Sequence, residues 1–99
     1  MRDPLNESAR VFLLNAGTVT KIEFYIEDIG SNPSGLAVNF RLAGNDLLAA
    51  NATIIEGWNT FATLQNNTFV DNDEFDIAVR TSSGSRDVGN AIVIISTSL

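Results

Sequence analysis

The chain contains no cysteine and no histidine among its 99 residues. Without cysteine there is no disulfide, no thiolate nucleophile and no sulfur ligand for a metal. Without histidine the commonest general base and metal ligand near neutral pH is missing as well. Serine and threonine hydroxyls therefore lack an imidazole to activate them, and no G-x-S-x-G elbow, phosphate loop or dinucleotide fingerprint occurs. Basic residues are sparse. Arg2, Arg10, Lys21, Arg41, Arg80 and Arg86 are scattered against twelve acids, for a net charge of −6. Nucleic acids and anionic membranes are held by clustered Lys and Arg, so neither is an expected partner; a positively charged protein surface is compatible. No apolar run approaches the ~18 residues of a transmembrane helix. The start Met1-Arg2-Asp3-Pro4 has no apolar signal segment, so synthesis in a cytoplasm is expected. Charged residues make up only 18% of the chain, below the ~25% usual for soluble domains. Asn, Thr and Ser take their place, a mix that suits turns, sheet faces and protein-contacting surfaces.

What is present reads as strands. Hydrophobic residues form 44% of the chain, enough for one small two-layer domain. Residues 1–7 are polar and turn-prone and read as an N-terminal arm, with a single domain over 8–99. Ile22, Phe24 and Ile26 alternate with Lys21, Glu23, Tyr25 and Glu27, the two-residue period of a half-buried strand; Tyr25 belongs to the outer set. Leu36, Val38, Phe40 and Leu42 form a second inward set, with Ala37, Asn39 and Arg41 outward. Phe75, Ile77 and Val79 form a third. Ala43-Gly44-Asn45-Asp46 reads as a hairpin turn and 82–90 as a Ser/Gly/Asp loop. Val11–Leu14 and Ile92–Ile95 are apolar on both faces. Each is expected to be a covered strand or an interface strand, and the two are expected to lie side by side. The only tryptophan follows a turn glycine in Gly57-Trp58-Asn59-Thr60-Phe61. There Trp58 and Phe61 are expected to anchor the core. About eight short strands with regular turn signals and no convincing helix predict an all-β antiparallel sandwich, jelly-roll-like in order.

Few constellations bear on chemistry. Asp71-Asn72-Asp73-Glu74, with Asp76 beyond, supplies oxygen ligands at a spacing compatible with Ca²⁺, but also reads as a hairpin turn running into a strand's solvent face. Twelve carboxylates always allow some acid pair, yet nothing places two across a cleft as glycoside hydrolysis requires. No catalytic residue, metal site or cofactor is assigned. Tyr25 and Trp58 are the candidates for a glycan-binding platform, since aromatic faces offer flat apolar area with a polar rim.

The run of Thr18–Tyr25, Gly35–Asn45, Gly57-Trp58-Asn59-Thr60-Phe61 and Asp71–Val79 resembles small jelly-roll modules of tailed-phage virion proteins, in tail fibres and in capsid decoration (cement) proteins. The similarity covers residues 18–80 and is one of strand and turn pattern. Carbohydrate-binding β-sandwich modules look similar, including the Gly-Trp-Asn-Thr-Phe stretch. A chain beginning at Met1 is expected to be a whole gene product, which favours a free-standing decoration protein over a sugar-binding module. What the resemblance implies is a structural protein of the virion, without enzymatic activity. It would self-associate, as a homotrimer, and clamp the major capsid protein or another virion protein. Contacts are expected from the Arg2–Leu14 segment and the last strand, with Arg2, Arg10, Phe12, Leu14, Val93 and Ile95 as the partner-binding residues. The alternatives are a glycan-binding module using Tyr25 and Trp58, and a tail-fibre or baseplate part.

Overall fold

The computed structural model describes residues 11–13, 15–28, 36–80 and 91–99. Among them are nine strands and no helix: β1 (Val11–Phe12), β2 (Gly17–Ile26), β3 (Leu36–Leu42), β4 (Asn45–Asp46), β5 (Ala52–Ile54), β6 (Gly57–Phe61), β7 (Thr68–Phe69), β8 (Glu74–Val79) and β9 (Ala91–Ser98). They form two antiparallel sheets packed as a sandwich. In the five-stranded sheet β1, β8, β3 and β4 lie in that order, with β5 beside β3. The four-stranded sheet is centred on β2, which pairs with β6, β7 and β9. The predicted all-β sandwich is therefore the observed class.

Alternation decides the layers. Ile22, Phe24 and Ile26 of β2 face Leu36, Val38, Phe40 and Leu42 of β3 and Phe75 and Ile77 of β8 across the interior, all with 2% exposure or less. Phe40 is the hub. Its ring meets Phe24 edge-on at 5.8 Å, Phe61 at 5.4 Å and Phe75 in a stack at 6.1 Å. Such aromatic pairs add to the area term that drives sandwich closure. The predicted inward sets of β2 and β3 are thus the core, and Phe61 sits half-buried against it.

Two side-chain amides complete what the ladders leave open. The segment 47–51 leaves β3 between β4 and β5, and the Asn39 side chain fills the gap. Its Oδ1 accepts from Phe40 N (2.9 Å) and Leu48 N (3.1 Å); its Nδ2 donates to Leu48 O (3.1 Å) and Asn51 Oδ1 (3.2 Å). Asn39, expected on the outer surface by alternation, is buried for that reason. Asn67 donates to Val19 O at 2.7 Å and accepts from Val19 N at 2.8 Å through its own carbonyl, clamping β2 where its register with β9 shifts between Val19 and Lys21. The β3–β4 hairpin closes with two residues, Ala43 (φ 51°) and Gly44 (φ 83°), both left-handed, the geometry that matches strand twist in a two-residue hairpin.

The two doubly apolar runs do not lie side by side. Val11 and Phe12 pair with Phe75 and Glu74 in the five-stranded sheet, whereas β9 pairs with β2 in the other. The loop expected at 82–90 and the arm expected at 1–7 lie outside the described residues.

Candidate functional site

Among the described residues, the outer face of the four-stranded sheet carries an exposed apolar band, and register builds it. Tyr25 stands opposite Trp58 on one side and Ile92 on the other; Glu23 stands opposite Thr60 and Ile94; Lys21 stands opposite Ser96. Residues opposite each other on antiparallel strands share a face. Trp58, Tyr25, Ile92 and Ile94 therefore form one band, with Trp58 51%, Ile92 54% and Ile94 45% exposed. The Tyr25 and Trp58 rings are 5.2 Å apart and inclined at 54°. One edge of the band is closed by an ion pair between Lys21 Nζ and Glu23 Oε1 at 3.3 Å. Neither β6 nor β9 contributes a charged residue.

This placement corrects the expectation that Trp58 anchors the core. Tyr25 faces outward because Phe24 and Ile26 face inward, and Trp58 must follow Tyr25 once the two are opposite. The turn before it is built for that presentation. Gly57 has φ +95°, open to glycine and costly for other residues. Asn59 ties the turn down: Oδ1 accepts from Ile55 N (3.0 Å), and Nδ2 donates to Ile55 O (2.9 Å), Gly57 O (3.3 Å) and Phe24 O (3.3 Å). Tyr25 stands on the outer face as expected, between Glu23 and Glu27 along its own strand, and its cross-strand neighbours Trp58 and Ile92 are apolar.

Of the expected contact residues, Phe12 is 63% exposed at the edge of the other sheet. Val93 and Ile95 lie opposite Phe24 and Ile22 and pack against the core, so the outward positions of β9 belong to Ile92 and Ile94. The apolar run announced both pairs; only the register with β2 tells them apart. Arg2, Arg10 and Leu14 lie outside the described residues.

The acidic stretch is distributed among structural tasks. Asp71 Oδ1 accepts from Asn15 N at 2.8 Å and Asp73 Oδ2 from Val70 N at 2.9 Å, stabilising a turn in which Asn72 has φ 71°. Asp76 binds Arg41 through both carboxylate oxygens, with Arg41 Nε–Oδ1 at 2.7 Å, and Arg80 pairs with Asp46 at 2.8 Å. The hydrogen bond to Asp76 holds the Arg41 guanidinium above its ordinary range, against partial desolvation. Of the residues that line the shallow groove, Arg41, Gly44, Glu74 and Asp76, Arg41 and Asp76 are thus already bound to each other.

Comparison with known protein families, characterised proteins and solved structures returns no match.

Proposed function

We propose that this chain is a non-catalytic assembly protein, a virion component of the capsid-decoration kind, which docks on a protein shell through the outer face of its four-stranded sheet. The observation that carries the reading is the Trp58–Tyr25–Ile92–Ile94 band. Aromatic residues with aliphatic neighbours, bordered by a paired Lys21 and Glu23 and by polar groups, match the composition of protein-interface cores. A ligand that binds only the mature shell stabilises it by mass action, and repeated copies multiply weak contacts through avidity. The test is co-sedimentation with undecorated capsids. Trp58→Ala is expected to lose most particle binding while the chain stays folded; undiminished binding would remove this face from the mechanism.

One observation favours a second reading. Trp58 is exposed beside Tyr25, as a glycan platform requires. Against it, the two rings are inclined and half of the band is aliphatic. A glycan array showing Trp58-dependent binding would favour the glycan reading over shell docking.

A further inference from the structure

We infer that β9 is a self-pairing edge, along which two copies of the chain join antiparallel and merge their four-stranded sheets into one. The inference deepens the assembly reading by assigning self-association to one strand.

Among the described residues β9 pairs only with β2. In an antiparallel strand alternate residues direct their N–H and C=O to either side, so one side of β9 presents a row of ladder groups. Natural edges are blunted by shortness, Lys, Pro or bulges. β9 has none of these devices in its own sequence. It runs eight residues, Ala-Ile-Val-Ile-Ile-Ser-Thr-Ser, longer than the usual five or six. From Ala91 to Ser96 its register with β2 is unbroken, and the irregularity lies beyond, at Val19/Lys21.

Charge selects the occupant. In a chain of net charge −6, residues 91–99 carry no ionisable side chain. A second copy can therefore approach this edge without placing like charges opposite each other, which other charged stretches of the chain do not allow. Pairing of a strand with itself is isologous and closes as a two-fold dimer, in place of the trimer the virion resemblance implies. Outward residues meet outward residues in that arrangement, so Ile92 and Ile94 of both copies cluster at the axis. The two Trp58–Tyr25 bands then flank one continuous surface.

The experiment measures molar mass by light scattering from micromolar to millimolar chain, together with hydrogen exchange of the β9 amides over the same range. The expected result is a move from 10.7 kDa toward twice that mass. The β9 amides that point away from β2 should gain protection in step. Ile94→Lys keeps the fold, because Ile94 is 45% exposed and faces Glu23. It sets two ammonium groups near the axis and should weaken dimerisation about tenfold or more, equivalent to ~1.4 kcal/mol. Trp58→Ala lies across β2 from this edge and should leave the dimer intact. A monomer at every concentration, a trimer, or an oligomer whose β9 amides exchange unchanged would overturn the inference. A monomer that still binds capsids would overturn it while leaving the shell-docking reading in place.

Discussion

Trp58 is the residue on which the proposed docking and stability separate. A fully buried tryptophan costs ~3–5 kcal/mol to truncate, but half of this ring is in water and its main neighbour is Tyr25. Trp58→Ala should therefore destabilise by only about 1–2 kcal/mol in urea melts; full loss of folding would return the ring to the core. Asn39 has the opposite profile. It is small and polar, yet its amide spends both donors and both acceptors on the 47–51 segment and its own strand. Asn39→Ala strands Leu48 N–H and C=O in the interior and is expected to cost about 2–4 kcal/mol, more than Trp58→Ala despite removing fewer atoms. Ala43 offers a gain. It holds φ 51° beside Gly44, a conformation that asparagine and glycine tolerate better than alanine. Ala43→Asn should raise stability by ~0.5–1 kcal/mol in the same melts, because the hairpin geometry is already in place.

At the scale of elements, β2 holds the four-stranded sheet together, and its start is the tightest point. A Cβ on Gly17 would lie 2.5 Å from the carbonyl oxygen of Ser98 and 3.0 Å from the Phe69 ring. Gly17→Ala must push β2 away from β9 and β7, so it should lower stability and first release the 96–99 end, seen as faster amide exchange there than at Ala91–Ile94. The strands themselves were legible. Ile22-x-Phe24-x-Ile26 and Leu36-x-Val38-x-Phe40-x-Leu42 state their inward faces outright, because burial of one sheet face imposes a period of two. The outward aromatic face was not legible. Whether Trp58 points in or out depends on its opposing Tyr25 rather than a neighbour such as Phe24, and a one-residue slip reverses the answer. Nothing local to Gly57-Trp58-Asn59 encodes that register. The same holds for β9, where four consecutive apolar residues hide which two are spoken for by the core. Asn39 escaped for a different reason: its burial comes from a chain segment eight to twelve residues downstream, folding back to use its amide.

For the whole molecule, the two proposed surfaces differ in electrostatics, and salt should pull them apart. Two copies meeting along β9 carry −6 each, so their approach is opposed at long range although the contact strip is uncharged. Added salt shortens the Debye length from ~30 Å at 0.01 M to ~8 Å at 0.15 M and removes most of that opposition. Dimerisation should strengthen as salt rises, and the apolar cluster of Ile92 and Ile94 loses nothing by it. Shell docking has the reverse sign if the acidic molecule is drawn to a surface of complementary charge, because steering toward an opposite potential fades with ionic strength. The measurement is a pair of titrations over the same salt range, molar mass by light scattering and capsid co-sedimentation. Self-association rising while capsid binding falls assigns the two events to different surfaces. Parallel trends would mean that one surface serves both, and the edge of β9 and the Trp58 face would then have to be treated as a single interface.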